Sequence, residues 1–88
     1  MKRERRQHRR AEVNWPVTMR NGRETIEGEV QNICEGGALI YCQELPEITG
    51  RYHMFIKNQP ALTGTIVRVD EYVLDDIMVL YGVGVQFK

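Results

Sequence analysis

Asn32-Ile33-Cys34-Glu35-Gly36-Gly37 separates two runs that read as strands, and the reading of this stretch decides the fold. Before it, Glu24 to Val30 alternates charged or polar residues with smaller and apolar ones. After it, Ala38 to Cys42 is short, apolar and rich in strand formers. A polar turn with two glycines between such runs signals a β-turn or bulge. Asn32 can bond the backbone two residues on, and glycine accepts positive φ without steric cost. Taken alone, these six residues are an ordinary turn between antiparallel strands.

The same pattern extends in both directions. Val13, Trp15, Val17 and Met19 alternate with polar partners at the period of a half-buried strand. Pro16 cannot donate to a ladder, which places it at an edge or a bulge. Asn21-Gly22 is a hairpin signal suited to a type I′ turn. After the central turn, Gln43 to Gly50 reads as a loop and Arg51 to Lys57 as a strand. Asn58-Gln59-Pro60 turns the chain into a long strand over Ala61 to Val73, with Thr65, Val67 and Val69 on one face and Ile66, Arg68 and Asp70 on the other. Gly64 marks a bulge or bend in it. Asp75-Asp76 turns into a last strand, Met78 to Lys88, with Val83, Val85 and Phe87 inward. Gly82 and Gly84 on its other face leave room for a neighbour.

Six strands joined by short connections favour antiparallel pairing. In so small a chain they close most simply into a barrel, which also removes the sheet edges; a sandwich is the alternative. The expected fold is all-β: a six-stranded antiparallel barrel over 13–88, with little or no helix. Residues 1–12 show no apolar periodicity and are expected to form a flexible basic arm.

Eighty-eight residues make one domain with a modest core. No apolar run approaches the roughly 20 residues that span a bilayer, and no apolar h-region follows the basic start. A cytoplasmic setting without membrane insertion is expected. Cys34 and Cys42 are too few for a disulfide framework, and His8 and His53 are not spaced to complete a zinc site, so both read as free thiols. The net charge of zero conceals an asymmetry. Lys2, Arg3, Arg5, Arg6, Arg9 and Arg10 supply six of the twelve cations, beside the single acid Glu4; the rest of the chain holds six basic and eleven acidic residues. A basic arm is attached to an acidic body.

Arg6-Gln7-His8-Arg9-Arg10 is an RxxxR, overlapped by a second from Arg5 to Arg9. Paired with Asn32-x-Cys34-x-x-Gly37, it resembles the PilZ domain, the bacterial receptor module for cyclic di-GMP, which carries RxxxR in an N-terminal loop and (D/N)xSxxG between its second and third strands. The resemblance covers the arm, Val13-x-x-Pro16-Val17, the motif turn and the terminal Gly82-Val83-Gly84-Val85-Gln86-Phe87. It implies that Arg6 and Arg10 clasp phosphates and guanines of cyclic di-GMP. A planar guanidinium fork suits this, since it bonds phosphate bidentately, reads guanine O6 and N7, and stacks. By the same resemblance Asn32 bonds a guanine edge and Gly37 lets the backbone approach the ligand. Arg9, outside the motif proper, adds phosphate contact, as Arg5 would from the overlapping RxxxR.

Cys34 departs from the pattern, standing where the family has serine. A thiol is a poor donor and acceptor. Losing one neutral hydrogen bond, about 0.5–1.5 kcal/mol, corresponds to about a 2- to 13-fold loss of affinity. Members of the family usually continue past the last strand into a helix, whereas this sequence stops at Lys88. A chain without serine, without a histidine spaced to serve either cysteine and without a phosphate-cradling loop offers no assembled nucleophile and base. The expectation is a non-enzymatic, monomeric cyclic di-GMP sensor with no metal or other cofactor and no specific nucleic-acid target. It is expected to signal to a downstream protein partner. The alternative is a degenerate module that binds protein only. Arg68 is a weaker candidate for the ligand face, and Trp15 reads as core or rim.

Overall fold

The computed structural model describes residues 11–22 and 24–88. All regular structure among them is β: β1 (Ala11–Asn21), β2 (Glu24–Cys34), β3 (Gly37–Cys42), β4 (Arg51–Ile56), β5 (Leu62–Leu74) and β6 (Met78–Phe87). Neighbours pair antiparallel in the order β1-β2-β3-β6-β5-β4, and β4 returns to β1 to close the barrel. The six expected strands are present, with ends displaced by one or two residues.

Period-two patterning explains the inside of the barrel. In β4, Tyr52, Met54 and Ile56 are buried while Arg51, His53 and Phe55 are exposed. In β3, Ala38, Ile40 and Cys42 point inward, opposite Val83 and Val85 of β6. Ile26, Val30, Val17, Met19 and Ile66 complete a core with no buried polar or charged residue among the described ones. Trp15 packs half-buried against it. Cys42 is buried in this layer, and desolvation pushes its thiol up to about 11, so it stays protonated and donates to the Glu44 carbonyl at 3.2 Å. Both cysteines are free.

Four local expectations shift. β1 begins at Ala11 rather than Val13, because Ala11 and Glu12 pair with Ile33 and Asn32 across a bulge between Glu12 and Trp15. Pro16 sits just beyond that bulge and just outside the β1–β4 ladder, which starts at Val17, so its missing N–H costs no ladder bond there. In the first hairpin, Asn21 still pairs with Glu24, and Gly22 at φ 62° takes the first loop position instead of the second. In β5 the irregularity lies between Ile66 and Arg68, not at Gly64. This bulge exposes Val67 and reverses the phase, so Ile66 and Val69 both serve the core while Arg68 and Asp70 share the outer face.

The buried Tyr52 ties the 43–50 loop to β2. Its hydroxyl accepts from the Glu47 amide and donates to Glu24 Oε1, each at 2.9 Å. Burial, more than the neighbouring Glu24 carboxylate, raises the phenol's pKa. The protonated donor is thus the form the fold favours; this contribution is present at neutral pH and is lost as alkali removes the proton. Tyr52→Phe keeps the ring and strands the Glu47 amide. It is expected to cost about 1–2 kcal/mol, lowering the thermal midpoint by about 4–16 °C in a melt followed by circular dichroism.

Candidate functional site

Cys34 and Gly37 face each other at the end of the β2–β3 ladder, leaving Glu35 and Gly36 as the turn. Two contacts fix this turn to the far strand β6. The Phe87 amide donates to the Gly36 carbonyl at 2.9 Å. A Cβ built on Gly37 would fall 2.2 Å from the Val85 carbonyl oxygen. Glycine is therefore required at this position by the close approach of β6, independently of any ligand.

Register then places the side chains. Asn32 is opposite Leu39, and Leu39 is opposite Gly84, which is opposite Arg68. Directly paired antiparallel residues share a face, and Ala38 and Ile40 occupy the core face. So Asn32, Cys34, Leu39, Tyr41, Gly82, Gly84, Gln86, Arg68, Asp70 and Tyr72 all belong to the outer face. A bulge between Val30 and Asn32 sets this phase, putting Asn32 outside although Val30 is buried.

An open concavity of about 700 Å³ lies on this face. Cys34, Gly36 and Gly37 form one wall, and Arg68, Asp70 and Tyr72 the other. Gly84 forms bare floor between them; its nearest neighbour for an added Cβ is Arg68 Cβ at 3.4 Å. The room expected over Gly82 is instead filled by the rings of Tyr72 and Tyr41, which meet edge-on at 6.3 Å and 66°. Arg68 Nε donates to Asp70 Oδ2 at 3.1 Å. Arg68 is the one cation lining the concavity among the described residues. No cluster of three or more His, Cys, Asp or Glu side chains among them could hold a metal ion.

The structure thus brings Cys34, Gly37 and Asn32 to one face. Arg5, Arg6, Arg9 and Arg10 lie outside the described residues. Their attachment is nevertheless defined, because Arg10 is bonded to Ala11, and Ala11 pairs with Ile33 beside Asn32. Asp70, Tyr72 and Tyr41 were not anticipated at the site. The one hint in the sequence is Gly82-x-Gly84, which leaves one face of β6 without side chains.

Several solved structures share this fold. The PilZ domain of YcgR from Escherichia coli, solved with c-di-GMP, superimposes with a TM-score of 0.75 at 9% identity, over 96% of this chain and 78% of that one. The K. pneumonia MrkH–c-di-GMP complex gives 0.74 at 15% identity over 97% of this chain, and MrkH in its apo state gives 0.74 at 16% over 100%. The chain spans just under half the length of MrkH, 45% and 44% in the two structures. None of the curated proteins compared matches it. The PilZ domain model matches residues 4–88, from the arm to the end of the barrel, and the chain belongs to the PilZ domain family.

Proposed function

We propose that this domain is a non-catalytic cyclic di-GMP receptor. The observation that carries the reading is the convergence of the motif turn, the open concavity and the point where the arginine arm joins β1. Ala11 and Glu12 pair with Ile33 and Asn32, so the arm leaves the barrel beside the motif strand. The remainder of the chain is acidic, and a ligand with two phosphates needs cations that the arm holds in excess. In this reading Arg6 and Arg10 clasp phosphate and guanine, Asn32 bonds a base edge, and Arg5 and Arg9 add charge. Cys34 supplies a weak polar contact where serine would supply a stronger one. The domain functions as a monomer in the cytoplasm, and ordering of the arm over the turn is the signal read by a protein partner.

The test is calorimetric titration of the full chain with cyclic di-GMP. Saturable heat at micromolar ligand is expected, and a folded domain that gives no heat at tens of micromolar would sink the reading. A protein-only module is the second reading, favoured by Cys34 and by the exposed apolar tip of the β5–β6 hairpin, where Val73, Leu74, Ile77 and Met78 face solvent. A silent titration would leave that one standing. Binding by the arm to any polyanion would instead show no preference for guanine and collapse steeply with salt.

Cys34→Ser supplies a finer check. Cys34 is half-buried and Cα-paired with Gly37, and serine is smaller, so the fold is expected to persist. Restoring one hydrogen bond is expected to tighten cyclic di-GMP binding by up to about tenfold. Equal or weaker binding in the same titration would refute this account of the substitution.

A further inference from the structure

The wall opposite the motif turn belongs to β5, and its chemistry has no part in the reading above. Arg68 and Asp70 lie on the outer face and both line the concavity, with side chains 74% and 43% exposed. An ion pair this exposed contributes little to folding. Its effect is on orientation: Asp70 Oδ2 occupies Arg68 Nε, which leaves the two terminal nitrogens of the guanidinium without a partner among the described residues. Those two nitrogens are a parallel pair of donors, the arrangement that matches guanine O6 and N7. Beneath lies the bare backbone of Gly84, and beside it the exposed ring of Tyr72, braced edge-on by Tyr41. A planar base fits such a surface, since an aromatic face stacks on any base and an open glycine floor does not obstruct it.

We propose that Arg68 reads a guanine of the ligand from the β5 side, and that Asp70 is a positioning residue that aims its fork. The proposal rests on cyclic di-GMP being the ligand. It adds a source of base specificity separate from the arm. Adenine offers N7 but turns an amino group, a donor, toward the second guanidinium donor. Arg68 therefore discriminates between the two purines and does not merely attract phosphate.

The test compares cyclic di-GMP with cyclic di-AMP by calorimetry on the full chain. Arg68→Ala is expected to weaken cyclic di-GMP binding about 5- to 50-fold, with the guanine-over-adenine ratio falling by a similar factor. Arg68→Lys should recover part of the affinity and little of the ratio, because it keeps the charge and loses the fork. Asp70→Ala decides the positioning role by the sign of its effect. If Asp70 aims the fork, its removal weakens cyclic di-GMP binding and lowers the ratio, with the thermal midpoint unchanged. If Asp70 is only a like charge near the phosphates, its removal tightens binding, and the positioning role is refuted. Wild-type binding with Arg68→Ala within twofold of it would overturn the proposal and leave the receptor reading intact. So would an Arg68→Ala loss equal for both dinucleotides, which would make Arg68 a phosphate contact. No binding by the wild type would overturn both.

Discussion

Gly37→Ala is expected to destabilise the domain by about 3 kcal/mol or more, the largest stability effect of any single methyl added at the site. The added Cβ would sit 2.2 Å from the Val85 carbonyl oxygen and 3.3 Å from its carbon, both backbone atoms. No rotamer relieves such a contact, so β3 or β6 must move. Overpacking of this kind costs about 1–3 kcal/mol by itself. Movement here also strains the bond from the Phe87 amide to the Gly36 carbonyl and the six-pair ladder between Gly37–Cys42 and Tyr81–Gln86. A small domain is stable by about 5–15 kcal/mol, and each kcal/mol corresponds to about 4–8 °C, so the thermal midpoint should fall by about 12–24 °C. Gly84→Ala is the matched control. Its Cβ meets nothing closer than 3.4 Å, so its midpoint should stay within a few degrees. A Gly37→Ala midpoint within about 5 °C of the wild type would show that the two strands yield easily. The consequence for the site is direct: lost ligand binding in a Gly37 variant reports on the β3–β6 contact before it reports on ligand approach.

The strands were legible because burial enforces their period. Tyr52, Met54 and Ile56 alternate with Arg51, His53 and Phe55, and the barrel accepts that pattern in one register. Bulges carry no such signature. An unbroken period of two puts Val67 on one face with Thr65 and Val69, yet Val69 packs on the core while Val67 is 52% exposed, because the pairing of β5 with β6 skips it. Only the partner strand decides this. The same holds at the start of β1, where Ala11 and Glu12 have no period of their own and join the sheet through β2. At the site, the turn from Asn32 to Gly37 could be located from its residues, but the role of Gly37 could not. Its constraint is the Val85 carbonyl, 48 residues away in the chain. The wall of Arg68, Asp70 and Tyr72 was hidden for a related reason. It faces the motif turn only because β6, the last strand, lies between β3 and β5. Long-range order of this kind leaves little trace in any local window.

Arg6→Ala and Arg10→Ala are each expected to weaken cyclic di-GMP binding by about 10- to 150-fold, the value of a charge-assisted contact of about 1.5–3 kcal/mol. Lysine at either position should restore only part, since it retains the charge but not the fork or the stacking plane. The physical basis is a division of labour within the chain. Eleven of the twelve acids lie beyond residue 10, so the body opposes a phosphate ligand, while Arg5, Arg6, Arg9 and Arg10 repel one another without it. Ordering a backbone costs about 1–2 kcal/mol per residue, and residues 1–10 hold too few apolar groups to offset that. A ligand with two phosphates supplies the missing acceptors and cancels the repulsion. Ala11, the residue that follows Arg10, pairs with Ile33 on the strand that leads into the motif turn. Amide relaxation with and without cyclic di-GMP is the measurement. The arm should be mobile in the free protein and as rigid as the strands at saturation. An arm rigid before ligand is added, or still mobile when the site is full, would refute this mechanism even where binding is confirmed. In that case the signal would have to arise in the barrel, through its core of buried apolar side chains, and close-packed interiors of this kind transmit strain.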